Sequence, residues 1–344
     1  MKNKMIKGRR IFIILLMLIL ALSGGFIYYA LSSSTFFVKK PVAIYVDNSK
    51  DYPALLAQLQ SAAQLKNPRL FNFLAQRMKY PENMKTGKYE IRSGMSYLEV
   101  IRMLRNGQQT PVKLTFNNIR LKTDLVDRIG QQMMFPPDDL LNLLNDSSVA
   151  ASYNLDTTTI LTLFIPNTYE IYWNLSASKF LERMKKECDR FWNPERLRKS
   201  QALHLSPVEV SILASIVEEE TAVRQEYPIV AGLYLNRLKK GMLLQADPTV
   251  KFAAGDVRLQ RILNRHLQID SPYNTYKHSG LPPGPIRIPS IPAIDGVLNP
   301  SEHNYLYMCA KEDFSGTHNF AVTLTEHNRN AQRYWEVLNR RNIR

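Results

Sequence analysis

The residues best suited to chemistry in this sequence are three consecutive glutamates, Glu218, Glu219 and Glu220. Projected at about 100° per residue, one half of the helix surface carries Val208, Ile212, Leu213, Ile216 and Val217. Glu220 lies near the middle of that half, Glu219 at its edge and Glu218 on the far side. Burial among apolar groups raises the pKa of a carboxyl group. The pattern predicts Glu220 as a general acid, although a glutamate run is also typical of a solvated helix end.

The element that must position Glu220 is a helix with a well-marked start. Ser206 can accept backbone hydrogen bonds as the N-cap, Pro207 suits the first helical position, and Glu209 completes a capping box. We therefore expect a helix that begins after Ser206 and ends near Thr221.

The N-terminal part of the sequence has the charge pattern of a membrane anchor. Five of the first ten residues are Lys or Arg, and residues 11–38 carry no charge. This predicts a cytoplasmic tail at residues 1–10, a single transmembrane helix at 11–33 and a tether at 34–40. The protein would then sit in the cytoplasmic (inner) membrane with its N-terminus in the cytoplasm and its folded part outside. A cleaved signal peptide is the alternative.

The composition bounds the class of partner. The chain has 344 residues, 45% of them hydrophobic, which indicates more than one folded domain. Its net charge of +15 indicates an anionic partner. No nucleic-acid-binding motif occurs, so a membrane surface or an anionic wall polymer is favoured. The six histidines have no metal-site spacing and are interpreted as structural or surface groups. Cys188 and Cys309 could form a disulfide or remain free thiols.

Residues 41–110 read as one small module. The predicted order is a strand, two helices, a strand and a further helix that starts with a capping box at Ser96 and Glu99. This stretch loosely resembles the LysM-like modules that bind cell walls, and a plain spacer is the alternative. Residues 111–344 are predicted to form a larger mixed domain, so the predicted fold class is α+β with a membrane helix, a LysM-like α/β module and a catalytic domain.

Three features of the larger domain bear on function. Aromatic side chains are dense in residues 163–174, which favours a core position over a sugar-stacking surface by a small margin. The proline-rich stretch 271–292 cannot be a helix or a central strand, and a loop of this kind is commonly functional. A hairpin at residues 305–310 and 318–322 precedes an amphipathic helix at 324–341.

Several motifs, read together, resemble one family. These are ILASIVEEETA, NRLKKGMLLQADPTVKFA, SPYNTY, GLPPGPI and HNFAVTLTEHN. In this order the chain resembles the YceG-like endolytic murein transglycosylases, membrane-anchored enzymes that cut nascent peptidoglycan strands. The resemblance implies that Glu220 is catalytic and that Glu218 is the first glutamate of the E-x-E-T motif. Asn167 and Glu219 depart from the commoner pattern, and Glu219 is expected to raise the pKa of Glu220 further by like-charge repulsion.

The family chemistry requires one proton donor and no cofactor or metal. The C6 hydroxyl of N-acetylmuramic acid (MurNAc) attacks its own anomeric carbon, so that the bond to N-acetylglucosamine (GlcNAc) breaks, a 1,6-anhydroMurNAc end forms and strand length is limited. A hydrolytic muramidase, with Glu218 or Asp247 as base, is a second interpretation. The third is a non-catalytic peptidoglycan-binding scaffold that positions peptidoglycan synthases.

Other side chains are candidates for binding the glycan strand. The amides of Gln245 and Asn274 can orient acetamido or hydroxyl groups, and the rings of Tyr273 and Tyr276 can stack on sugars. Glu218 and Asp247 complete the predicted set. Each has a structural alternative: Asn274 can hold the loop, Asp247 can cap a helix, and Tyr276 can belong to the core.

Overall fold

The structure is a computed structural model, and it describes residues 13–25, 28, 36–256, 259 and 262–341. The chain divides into two units. The first comprises the residues up to Lys113 together with Glu170–Leu175, and the second comprises Leu114–Tyr169 and Ser176 onward. The module boundary predicted near residue 110 stays a prediction, and the first unit also includes a segment from much later in the chain.

The first unit is built from a two-stranded sheet and helices in the predicted order. Residues 42 to 46 pair antiparallel with residues 87 to 91. Its elements are α1 (Ile13–Gly25), β1 (Val42–Val46), α2 (Tyr52–Ser61), α3 (Pro68–Arg77), β2 (Gly87–Ile91) and α4 (Tyr97–Asn106). The predicted capping box at Ser96 and Glu99 is present, and Gly107 ends α4 at a φ of 69°. The local signals therefore act as the sequence predicted.

The core of the first unit is aromatic at its centre. Phe36, Phe71 and Tyr97 meet edge to face, with ring centroids 5.4 to 6.5 Å apart. Val42, Ile44 and other aliphatic side chains of the sheet pack against the same cluster. Edge-to-face rings add to the stabilisation that burial supplies.

Two strands, β3 (Val112–Phe116) and β4 (Asn167–Ile171), form a further two-stranded sheet. The chain passes from one unit to the other within them. In the second unit, the rings of Phe116, Phe164 and Tyr169 are in contact and buried, as the core interpretation of the aromatic segment predicted. Tyr172, in the same segment, is 53% exposed.

The second unit is mostly helical. Its helices are α5 (Lys122–Gly130), α6 (Pro137–Asn145), α7 (Ser147–Ser152), α8 (Ala177–Phe191), α9 (Pro194–Ala202), α10 (Pro207–Glu220), α11 (Tyr227–Lys239), α12 (Asp247–Ala253), α13 (Asn264–Leu267), α14 (Ile291–Leu298) and α15 (Leu324–Arg340). The hairpin β5 (Tyr307–Ala310) and β6 (His318–Ala321) is antiparallel, as predicted. The proline-rich stretch is irregular except at its end, where α14 begins.

The centre of the second unit is α10. Ser206, Pro207 and Glu209 make the predicted capping box and start, and Thr221 ends the helix. Every residue from Val210 to Val217 is buried, because α9, α11, α12 and α14 pack around the helix. The predicted one-sided apolar stripe is therefore wrong, since apolar neighbours surround the helix.

Part of the predicted transmembrane segment lies outside the described residues. Among the residues that are described, no single helix is long and apolar enough to cross a bilayer. The helix α1 is apolar but shorter. Together α9 and α10 are long and apolar enough, but the chain bends by 77° between them.

Candidate functional site

The end of α10 places the three glutamates in different surroundings. Glu218 and Glu219 point toward arginines, whereas Glu220, the last helical residue, lines a cavity of about 270 Å³. Elements α10, α11, α12 and the hairpin β5–β6 contribute its walls. The residues that line this cavity are Glu220, Leu233, Tyr234, Arg237, Leu244, Gln245, Asp247, Tyr276, Met308, Cys309, Ala310 and His318. We call this space the Glu220 cavity.

Burial determines the state of the Glu220 carboxyl group. Desolvation raises its pKa from 4.5 to about 7, and the nearby charge of Asp247 acts in the same direction. A hydrogen bond from the Tyr234 hydroxyl to Glu220 Oε1, at 2.5 Å, opposes the shift, as do the positive charges of Arg237 and Lys251. The net effect is a carboxyl group that still holds a proton near neutral pH, as a general acid requires.

The carboxylate that raises the pKa of Glu220 is Asp247, whereas the sequence predicted Glu219. Glu219 forms an ion pair with Arg120, whose Nη2 lies at 2.7 Å, and another with Arg287, whose Nη1 lies at 2.5 Å. The two guanidinium groups compensate the negative charge of Glu219, which weakens its electrostatic effect on Glu220.

Glu218 lies on the same side as Glu219, away from the Glu220 cavity. Its Oε2 accepts a hydrogen bond from the Ser290 backbone at 2.8 Å and lies 3.6 Å from Arg287 Nε. Ser290 is the N-cap of α14, so Glu218 ties the end of α10 to the start of that helix. We call Glu218, Glu219, Arg120 and Arg287 the arginine cluster.

Three of the predicted binding residues meet in the Glu220 cavity. Tyr276 donates its hydroxyl to Asp247 Oδ1 at 2.6 Å, and Gln245 precedes Asp247 by two positions. Gln245 adopts a φ of 51°, and its backbone N–H donates to the Thr275 carbonyl at 3.1 Å. A left-handed conformation at a glutamine is uncommon and is held here by that contact with the proline-rich loop.

Asn274 and Tyr273 do not line the Glu220 cavity. Asn274 is fully buried, and its amide donates to the carbonyls of Leu267 and Ile269 at 3.0 and 2.8 Å. The ring of Tyr273 packs on Phe252 with centroids 4.7 Å apart. Both residues therefore shape the loop that carries Tyr276.

A buried hydrogen-bond network joins the E-x-E-T threonine to the hairpin. Thr221 Oγ1 donates to Glu226 Oε2 at 2.8 Å, while Glu226 Oε1 accepts from the His318 backbone N–H at 2.8 Å. His318 Nδ1 lies 2.9 Å from Glu226 Oε2. Although burial opposes it, these bonds hold the pKa of Glu226 below its usual value, so its carboxyl group is ionised.

The sequence interpretation missed Tyr234, Arg237 and His318 as members of the site. Tyr234 and Arg237 lie one turn apart on α11, which gives a signal only after Glu220 is known to face that helix. Arg237 is 7% exposed and donates to the carbonyls of Leu306 and Leu244, so it holds β5 to the cavity wall. The histidines were expected to be structural or surface groups, and His318 lines the cavity.

Metal and disulfide chemistry find no support in the described part of the chain. There, no three His, Cys, Asp or Glu side chains are grouped so as to hold a metal ion. Cys188 and Cys309 are both free thiols, so the disulfide alternative is wrong. Burial raises the pKa of Cys188 to about 12, which makes its thiol inert.

The chain is similar to several known proteins over most of its length. A model of the YceG-like family matches residues 44–333. The chain is 26% identical over 315 residues to an endolytic murein transglycosylase of Bacillus subtilis, covering 86% of this chain and 85% of that protein. It is 25% identical over 327 residues to a protein of the same name from Streptococcus pneumoniae, covering 85% of this chain and 58% of the relative. The crystal structure of a YceG-like protein from Listeria monocytogenes is similar with a TM-score of 0.57 and 26% identity, covering 85% of this chain and 99% of that one.

Proposed function

Because this chain belongs to the YceG-like family, we propose that it is an endolytic peptidoglycan lytic transglycosylase. It cleaves the MurNAc–GlcNAc bond of nascent glycan strands, leaves 1,6-anhydroMurNAc ends and limits strand length. One observation carries the proposal: Glu220 lines a polar cavity and has a pKa raised to about 7 by burial. Relatives named endolytic murein transglycosylase support the same activity.

Glu220 acts first as an acid. As the bond between the anomeric carbon and the leaving oxygen stretches, positive charge develops on the sugar and negative charge on that oxygen. Protonation by Glu220 removes the second of these charges. The C6 hydroxyl of the same muramic acid then supplies the nucleophile, so that no activated water is needed.

The glycan strand is bound by side chains around Glu220. Gln245 supplies amide groups for an acetamido or hydroxyl group, Tyr276 supplies a ring face, and Asp247 orients Tyr276 through its 2.6 Å hydrogen bond. We assign Asn274 and Tyr273 to shaping the loop. Glu218 acts at a distance from the sugar, through its contact with Ser290.

The first unit holds the enzyme near its substrate. Its strand, two helices and strand, with an antiparallel pairing, support a LysM-like wall-binding module. Membrane anchoring is supported by α1, whose large apolar side chains are exposed, for example Leu20 at 64% and Leu22 at 66%. The basic residues before α1 favour a cytoplasmic N-terminus and a single pass through the inner membrane. We propose peptidoglycan synthases as partners at the membrane surface.

Hydrolysis is the second candidate activity, because one observation favours it. Asp247 lies in the same cavity as Glu220, and a carboxylate there could activate water as a base. The products distinguish the two reactions, because hydrolysis leaves a reducing end.

The test is mass spectrometry of the products that the purified full chain releases from glycan strands. We expect 1,6-anhydro ends. Reducing ends would establish the hydrolytic muramidase, and intact strands would leave the scaffold as the explanation.

A further inference from the structure

The Glu220 cavity contains a second acid–base group that the one-glutamate mechanism does not use. His318 lines the cavity at the start of β6, and Glu226 lies behind it, 2.9 Å from Nδ1. We propose that His318, oriented by Glu226, is a catalytic base that accepts the proton of the C6 hydroxyl while Glu220 protonates the leaving oxygen. This inference rests on the proposed function. That reaction moves two protons, one to the leaving oxygen and one from the C6 hydroxyl, and the inference assigns them to two residues.

The hydrogen bonds fix the tautomer of the imidazole ring. An ionised carboxylate only accepts hydrogen bonds, so the nitrogen that faces Glu226, Nδ1, carries the proton. In a neutral imidazole the other nitrogen, Nε2, then has a free lone pair. His318 Nε2 makes no hydrogen bond to any residue in the described part of the chain. The ring is thus prepared to accept a proton.

The same network fixes the acid and the base relative to each other. Thr221 follows Glu220 directly and donates to Glu226 at 2.8 Å, and Glu226 in turn holds both the backbone N–H and the ring of His318. These contacts are buried, with Thr221 3% and Glu226 6% exposed. Buried, fully bonded groups of this kind hold side chains in one geometry, which acid–base catalysis needs.

The proton transfers balance. The C6 oxygen forms a bond to the anomeric carbon, and its proton goes to His318 Nε2. The bond from that carbon to the leaving oxygen breaks, and the oxygen takes the proton of Glu220. Glu220 ends as a carboxylate and His318 as an imidazolium, so one proton passed back through solvent restores both residues. No oxidant, metal or further reactant takes part.

Asp247 is a weaker candidate for this task. Its Oδ1 already accepts the Tyr276 hydroxyl at 2.6 Å, and in general a carboxylate is a poorer base than an imidazole. The ionisable groups that share the cavity with His318 are Glu220, Tyr234, Arg237, Asp247, Tyr276 and Cys309, and Glu226 lies behind the ring.

Chemical rescue of the full chain tests the inference. We expect His318→Ala to lower kcat about 10²- to 10⁴-fold, the range expected for one general base. The substitution removes the ring beside a cavity of about 270 Å³, so added imidazole should enter the space. It should raise the rate of the alanine variant at least about tenfold. Glu220→Gln should gain nothing from imidazole, because the glutamine side chain fills the space of the carboxyl group and leaves no room for the added ring. The exposed His204, at a φ of 55°, provides the control substitution His204→Asn, which should keep the wild-type rate.

A second variant keeps the test decisive if the alanine variant does not fold. His318→Gln retains a hydrogen-bonding side chain but has no basic nitrogen to accept the C6 proton, so its rate should fall as in the alanine variant. A folded variant with the wild-type rate and pH profile, or a loss that imidazole leaves unchanged, would overturn the role of His318. Products identify the other failure: reducing ends from the wild type contradict the proposed function itself, whereas anhydro ends with an unimpaired His318→Ala contradict only this inference.

Discussion

The two sides of the end of α10 use the same residue type for opposite purposes. In the arginine cluster, Glu219 is held by two guanidinium groups at 2.5 and 2.7 Å. In the Glu220 cavity, the next residue is surrounded by a tyrosine hydroxyl, a second carboxylate and apolar atoms, and its pKa rises to about 7. Desolvation raises the pKa of Glu220 although Arg237 and Lys251 oppose the shift, whereas Glu219 forms direct ion pairs with two arginines.

The difference also explains why neighbouring glutamates can coexist. Arg120 and Arg287 pair with the charge of Glu219, and Asp247 is the carboxylate that raises the pKa of Glu220. The arginine cluster holds the helix end, and burial in the cavity raises the pKa of Glu220. Each side should therefore respond to a different measurement.

The largest effect is expected from Glu220→Gln. The variant keeps the shape of the side chain and removes the proton, so cleavage should fall by about 10³-fold or more. Its unfolding at pH 5 should stay close to that of the wild type, which is checked by thermal denaturation. Residual cleavage within tenfold of the wild type would show that another group is the acid.

Glu219→Gln should give the opposite pattern. It leaves Arg120 and Arg287 without their shared acceptor, and Glu219 and Arg287 are only 14% and 11% exposed. Breaking such a pair should lower the free energy of unfolding by about 3 kcal/mol. At a temperature where the variant is folded, its cleavage rate should stay within about threefold of the wild type, because Glu219 does not line the cavity. A tenfold loss would mean that the activation free energy rises by about 1.36 kcal/mol. A large loss of rate without loss of stability would contradict the division between the two sides.

The stability of the wild type should depend on pH through Glu220. Its pKa is raised on folding from 4.5 to about 7, so the folded state holds the proton more tightly. This contribution is fully present below pH 4.5 and is lost as the pH rises through 7, about 3 kcal/mol in all. Urea denaturation of the wild type and Glu220→Gln across pH 4 to 8 should show the gap between them change in this direction. Parallel curves would mean that Glu220 is ionised throughout.

The smallest effects concern the neighbours that set this pKa. Tyr234→Phe removes a hydrogen bond that lowers the pKa of Glu220, so the fall of kcat/KM at alkaline pH should move to higher pH. Asp247→Asn removes a charge that raises it, so the fall should move to lower pH. Each shift should be below about one pH unit. Arg237 and Lys251 also face Glu220, and shifts of the same sign in both variants would contradict the assigned electrostatics.

Local signals in the sequence predicted much of the fold. The capping boxes at Ser206 and Ser96 define real helix starts, and the predicted hairpin near the C-terminus is present. These features depend on residues within a few positions of each other. The helix at Pro194–Ala202 was missed although Asn193 and Pro194 give it a local start signal. The strand at Asn167–Ile171 was missed because its partner strand, Val112–Phe116, is distant in the chain.

The site was only partly predictable for the same reason. Glu220, Gln245, Asp247 and Tyr276 do meet in one cavity, whereas Glu218 belongs to the arginine cluster. Periodicity selected Glu220 although its premise of a one-sided apolar stripe is wrong. His318 lies about a hundred positions along the chain from Glu220, and no sequence spacing indicates that a hairpin brings it to the cavity.

The most direct measurement is the titration of the Glu220 carboxyl group itself. Carbon NMR of protein labelled at the glutamate side-chain carboxyls, with the Glu220→Gln variant to assign the signal, gives its midpoint. The structure predicts a midpoint near pH 7, because burial raises the pKa from 4.5 to about 7. A midpoint near 4.5, the ordinary value, would mean that Glu220 is a carboxylate at neutral pH and would contradict its role as the acid.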